Sequence, residues 1–443
     1  MKLLDTKPRA YFYAQMGVAT VFTYLTSGVW LSNLAIYMKA SDILVSYLSV
    51  ITNICGVLIL TFTVFLERFK SKKKLTIALT ILTKAATFFI VTIPAFVPPA
   101  YQLVLFVFVV IIAFTLQAQT TVSLNNWMVD FIPAEKSGRY ISFRQTLSLI
   151  VTVLLSLTSG YFMDSMQDEY TGFLLLFSFA LFMGVIEVVL LLRTPDSPFP
   201  SSSPEKSGAK LWQAMKKPLK DRAFIKFVLY IVLFYMILNI SDSFTNVYMR
   251  RYLDLPYTAI TMMTLILSLP QIVFLGLWGR VSDKLGHQFV LKTSIWLFAG
   301  ETLFLFLSSP TNCYWLIPIA FFIASIGNAG FIIAVFNRRY ELIPPKNRIA
   351  YDNLYTAALG VGFILGPLLG GFIKSAFESI PFISSLMPIA NIRLLYLLSA
   401  VGILVLQIIY TISDKKPAVC RSTGADCCCI GAESPCAPPL SKQ

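Results

Sequence analysis

Twelve predominantly apolar stretches, each longer than twenty residues, run along this chain at about 14–38, 43–66, 75–97, 102–124, 142–163, 171–193, 224–248, 256–278, 289–309, 313–336, 351–376 and 392–412. A helix rises about 1.5 Å per residue, so about 20 apolar residues cross the hydrocarbon of a bilayer. In lipid every backbone N–H and C=O must be satisfied within its own segment or in a closed barrel. A chain with twelve such stretches is therefore predicted to be a bundle of membrane helices. Composition agrees: 56% of the 443 residues are apolar and 13% charged, where a soluble domain carries about a quarter charged. A soluble enzyme, a disordered chain and a coiled coil are excluded on the same grounds.

The charges decide orientation. Net charge is +14, with 36 Lys and Arg. Thirty of these fall in or beside the segments on the N-terminal side of the membrane, and five (Lys39, Arg250, Arg251, Lys374 and Arg393) on the other. Basic loops are retained in the cytoplasm during insertion, so both termini are expected there. No basic stripe interleaved with stacking aromatics lies outside the spans, so nucleic acid is not an expected partner. The N-terminus lacks a signal-peptide pattern, and the first span is expected to be retained.

The two halves resemble each other. At an offset of 211 residues Asn126 pairs with Asn337, Asp130 with Glu341, Pro133 with Pro344, Tyr140 with Tyr351 and Gly160 with Gly371. The predicted fold is all-α, with twelve transmembrane helices in two six-helix halves related by this repeat. The expected domains are an N-terminal bundle over 1–193, a cytoplasmic linker over 194–223, a C-terminal bundle over 224–413 and a Cys-rich tail over 414–443. The linker begins Pro/Ser-rich and ends with Leu211, Trp212 and Met215 among lysines. That second part reads either as a basic amphipathic helix on the inner leaflet or as a solvated connection.

Between the eighth and ninth spans the chain reads Gly279-Arg-Val-Ser-Asp283-Lys284-Leu-Gly286-His287. With twelve spans, a 6+6 repeat and a long central loop, this motif resembles the loop signature of the major facilitator superfamily. The resemblance covers about residues 10–413. The family pattern puts Gly279, Asp283, Lys284 and Gly286 in a loop that latches one conformation. Glu67 and Arg68 occupy the equivalent acid–base pair between spans 2 and 3, where both glycines are missing. Gly138-Arg139-Tyr140 and Arg144 after span 4 also resemble inner loops of bacterial members. The Gly-Pro string of drug–proton antiporters is absent from span 5. A similar string, Gly366-Pro367 followed by Gly370-Gly371, lies in span 11 and reads as close helix packing.

The resemblance implies that spans 1, 4, 7 and 10 line a substrate path. Each carries polar residues at helical spacing: Trp30 and Asn33; Gln117 and Thr121; Tyr235, Asn239 and Asp242; and Asn328. These are the candidate substrate and coupling residues, set against the alternative that they only bond neighbouring helices. Lys84, Glu187, Asp242 and Glu301 are ionisable residues embedded in spans, where a charge costs about 2.5–3.5 kcal/mol unless partnered or wetted. Asp242 lies on a path helix and is the first candidate to carry a coupling proton. For the other three a structural ion pair or snorkelling is expected.

Cys420, Cys427, Cys428, Cys429 and Cys436 cluster in the tail without a CxxC pair. Acylation and no role compete with soft-metal binding, and no metal or cofactor is expected. No nucleophile–base arrangement points to an enzyme. The expected function is secondary active transport of a small organic solute by alternating access, proton-coupled, in the cell membrane of a bacterium and as a monomer. The alternative is a transporter-like sensor that moves nothing. Substrate and direction are not legible.

Overall fold

The computed structural model describes residues 7–57, 71–129, 131, 137–196, 218–343, 348–379 and 390–413. Glu67 and Arg68, most of the linker and the five tail cysteines lie outside the described residues. The described residues form helices throughout. In the first half these are α1 (Lys7–Thr26), α2 (Gly28–Tyr37), α3 (Asp42–Val57), α4 (Lys72–Phe96), α5 (Pro99–Val129), α6 (Ser137–Asp164) and α7 (Glu169–Arg193). In the second they are α8 (Arg222–Asp242), α9 (Tyr257–Leu285), α10 (His287–Leu307), α11 (Cys313–Leu342), α12 (Arg348–Glu378) and α13 (Ala390–Ser413).

Ten helices among the described residues are long and apolar enough to cross a membrane. Two expected spans differ from prediction for local reasons. The first is broken into α1 and α2 at Ser27, because Gly28 adopts φ +54°, a left-handed conformation open to glycine. The seventh, expected to run unbroken through 248, ends as α8 at Asp242. A short turn (Thr245–Val247) and a π-helical turn (Tyr248–Tyr252) continue it. Thus the first helix of each half is interrupted in its part remote from the linker.

The repeat survives in three dimensions. Tyr13 packs on Tyr140 with ring centroids 4.4 Å apart, and Phe224 packs on Tyr351 at 4.7 Å. Both members of the second pair lie 211 residues after those of the first. Gly160 of α6 lies against Thr258 and Thr261 of α9, and Gly371 of α12 lies against Tyr47 of α3. Position 258 again follows 47 by 211. A Cβ on Gly160 would come within 2.8 Å of backbone atoms of Tyr257 and Thr258, so only glycine allows this approach.

The apolar core has three parts. The largest crosses both halves on the side remote from the linker, joining Trp30, Leu34, Phe106 and Phe173 to Phe244, Tyr248 and Tyr396. On the linker side the core is divided. Phe12, Tyr13, Trp127 and Tyr140 form one cluster within the first half, and Phe224, Phe227, Phe234 and Tyr355 belong to another within the second. The shared core holds the halves together on the far side, and among the described residues no buried core joins them on the linker side.

Candidate functional site

Closure of the far side rests on polar groups at helix ends. The Asp164 carboxylate at the end of α6 accepts from the backbone N–H groups of Tyr257 (2.8 Å) and Thr258 (2.7 Å), and from the Thr258 hydroxyl at 2.6 Å. It caps α9, a helix of the other half, and its charge meets the positive end of that helix. Arg251 pairs with Asp42 and donates to the Ala40 carbonyl at 2.7 Å. Lys374 joins Asp42 at 3.2 Å, and the Tyr252 hydroxyl donates to Asp42 at 2.6 Å. Arg250 pairs with Glu169 and lies 4.1 Å from the centre of the Tyr257 ring. Neither arginine serves as a counter-ion of Asp242.

The predicted residues fall in different places. Trp30 and Asn33 belong to the far-side closure: Trp30 stacks on Tyr257 at 5.7 Å, and Asn33 accepts from Asn246 at 3.1 Å. Gln117 and Thr121 line a cavity of about 740 Å³ in the first half. Tyr235 packs among Phe234, Phe331 and Phe363. Asn239 donates to the Tyr235 carbonyl at 2.8 Å beside Gly366, and Asn328 donates weakly to Gln271 at 3.4 Å.

Asp242 ends α8 at its break and is accessible. Glu301 of α10 lies near Asp242. No cation pairs with Glu301 among the described residues, and its 8% exposure removes snorkelling, so the expectation of an ion pair or snorkelling is corrected there.

Lys84 and Glu187 do pair, at 2.8 Å, with side chains only 7% and 3% exposed. They are part of a longer chain of contacts. Gln15 donates to Glu187 at 2.8 Å and accepts from Arg144 at 3.2 Å. All four residues border the cavity, together with Thr20, Asn125 and Ser148. The Lys84 ammonium also sits 3.6 Å from the centre of the Phe22 ring, a cation–π contact. Gln15 and Arg144 were absent from the predicted site. The signal for Gln15 was present, because the one-sided spacing of the first span extends back through Thr23 and Ala19 to Gln15. Arg144 reads in sequence as one more basic residue of an inner loop.

At the linker-side end of α9, Gly286 caps the helix with φ +89°. The Ser282 hydroxyl meets His287 Nδ1 at 2.6 Å, and His287 Nε2 lies 3.6 Å from Glu341 of α11. Asp283 and Lys284 are exposed, and Gly279 has no neighbour within 4 Å of where a Cβ would stand.

The chain matches the family model of the Major Facilitator Superfamily over residues 10–266 and 243–426. Its structure is similar to a variant of the nucleoside transporter NupG (TM-score 0.70, 14% identity, 91% of this chain and 100% of that one). It is also similar to a D-xylose–proton symporter (TM-score 0.63, 14% identity, 91% and 96%). In sequence it is 33% identical over 114 residues to the class H tetracycline resistance protein of Pasteurella multocida, 26% of this chain and 27% of that protein. It is 30% identical over 115 residues to the class E protein of Escherichia coli, again 26% and 27%. The chain thus matches about a quarter of the length of these curated relatives. With helices in two repeated halves, a divided core and a family match along nearly all its length, this multi-pass membrane protein belongs to the Major Facilitator Superfamily.

Proposed function

We propose that this chain is a proton-coupled secondary transporter of a small organic solute, working by alternating access in a bacterial inner membrane. The observation that carries the reading is the asymmetry of the core: shared between halves on the far side, divided on the linker side. Rigid halves that rock about a central site exchange one such arrangement for its mirror. The excess of basic residues on the linker side puts that side in the cytoplasm, so this conformation is open inward. Asp283 and Gly286, exposed here, and Gly279 close the cytoplasmic side in the opposite state.

Asp242 takes the coupling proton. It is accessible, it sits where α8 breaks, and Arg250 and Arg251 are engaged by Glu169 and Asp42.

The test is transport in proteoliposomes under an imposed pH gradient. Asp242→Asn is expected to abolish gradient-driven accumulation while preserving exchange of bound solute, because Asn keeps size and hydrogen bonding. Full pH-dependent accumulation in that variant refutes the coupling role. A wild-type protein that moves no solute in either direction refutes transport and leaves the sensor reading.

A further inference from the structure

The cavity of the first half carries an uncompensated positive charge. Among the described residues that line it, Lys84 and Arg144 are the cations and Glu187 is the one carboxylate, already 2.8 Å from Lys84. Arg144 is 8% exposed, yet among the described residues its guanidinium meets no carboxylate. Its guanidinium donates to the Gln15 carbonyl oxygen at 3.2 Å and to the sulfurs of Met128 and Met16, the neutral Tyr13 and Tyr140 lie close by, and its Nε–H has no acceptor among the described residues. A buried guanidinium is costly unless a charge or a full set of acceptors answers it. Thioethers are weak acceptors. The cation is therefore retained against its cost beside a cavity of about 740 Å³, a volume suited to a metabolite or a drug-sized molecule.

We propose that the transported solute is an organic anion, and that Arg144 binds its carboxylate or phosphate group. The guanidinium presents planar N–H donors that match an oxyanion. Gln15 holds Arg144 in place: its carbonyl oxygen accepts from the guanidinium while its amide is fixed by Glu187. Lys84 neutralises Glu187 and so keeps that carboxylate from repelling the solute or capturing Arg144. Gln117, Thr121 and Asn125 line the same volume and supply neutral hydrogen bonds to the rest of the molecule. With one surplus charge the site favours a monoanion.

This assignment rests on the transporter reading and is tested apart from it. The probe is a metabolite and drug library divided by charge at neutral pH into anionic, neutral and cationic sets. It is read by ligand-induced thermal stabilisation of the purified full chain and then by uptake of each hit into proteoliposomes. Stabilising compounds are expected to be anions whose uncharged amides or esters have no effect. Arg144→Gln is expected to weaken their binding by roughly 10- to 100-fold, the loss that one charge-assisted contact carries, and Arg144→Lys to restore part of it.

Because Arg144→Gln could disturb folding, Met16→Glu gives a second route. Met16 is half-buried, lines the cavity and has its sulfur 3.4 Å from the guanidinium, so a glutamate there supplies the missing counter-ion. That variant is expected to melt at the same temperature or higher and to lose anion binding. A purely structural Arg144 would gain stability and keep binding, which overturns the proposal. Uptake of neutral or cationic solutes, indifferent to Arg144→Gln, overturns the anion assignment and leaves transport standing. Absence of uptake for every set overturns transport and the assignment with it.

Discussion

Lys84 and Glu187 illustrate how unequal the two ways of altering a buried ion pair are. Both charges are out of water, and among the described residues each other, Gln15 and the Phe22 ring answer them. Glu187→Gln leaves the Lys84 ammonium buried without a countercharge. It is expected to cost about 3–5 kcal/mol, read as a fall in the melting temperature of the purified protein. Lys84→Met combined with Glu187→Gln should recover most of that loss, because no lone charge remains. Gly184 makes the crossing possible. A Cβ there would meet the Lys84 stem at 3.1 Å, so Gly184→Val should push the ammonium off Glu187 and reproduce much of the single-variant cost. From sequence the two residues could be seen as embedded charges needing partners. That they choose each other rather than Asp242 or Glu301 depends on which helices touch: α4 packs on α7 within the first half.

At the level of helices, the two interrupted segments and the Asp164 cap are linked. The breaks at Ser27 and Ser243 let the far ends of the first and seventh spans bend until Asn33 and Asn246 meet. Asp164 then fastens α9 by its exposed N–H groups. Asp164→Ala should remove about 1 kcal/mol of capping and shift the equilibrium toward the outward-open state about fivefold. Faster labelling of a cysteine placed at Asn246 from outside the cell would register the shift. Gly160→Leu should act more strongly. Its side chain has no room against Thr258 and Thr261, so the far side cannot close. Transport should stop while the protein still folds, with the far side permanently accessible. Asp168 behaves differently although it is also a cap. It accepts from Thr171 and Tyr170 of its own helix, which holds its carboxyl below the usual carboxylate range without joining the halves. Asp168 stands just before its own helix and Asp164 at the end of α6, and only the tertiary structure shows that Asp164 serves a helix of the opposite half.

For the molecule as a whole, sidedness is the cheapest property to test. Single cysteines replacing Pro98, Met166 and Thr311, in a protein free of native Cys, should label from outside the cell. Those replacing Lys72, Glu205 and Lys346 should label only after permeabilisation. Outside labelling at Glu205 would put the linker on the wrong face and reverse the inward-open reading. A cross-link between cysteines at Asn33 and Asn246 should form readily in the state described here and should stop transport by holding the far side shut.

Much of this architecture is local and so was present in the order of residues. Twenty apolar residues must form a spanning helix because lipid satisfies no backbone group, and basic loops stay on one side. The 211-residue repeat then implied two like bundles. Polar spacing along single helices likewise picked out Gln117 and Thr121, which line the cavity. Pairing between helices distant in sequence was decided only by tertiary structure. Trp30 and Asn33 share a helix face three residues apart as Gln117 and Thr121 do four apart, yet they join the far-side contacts, on the short helix beyond the break at Ser27. Arg144 shows the same limit. A basic residue just past a loop is ordinary in sequence. Only the packing of α1, α6 and α7 decides that its partner among the described polar side chains is Gln15, because one-dimensional spacing records which residues share a face and not which groups that face will meet.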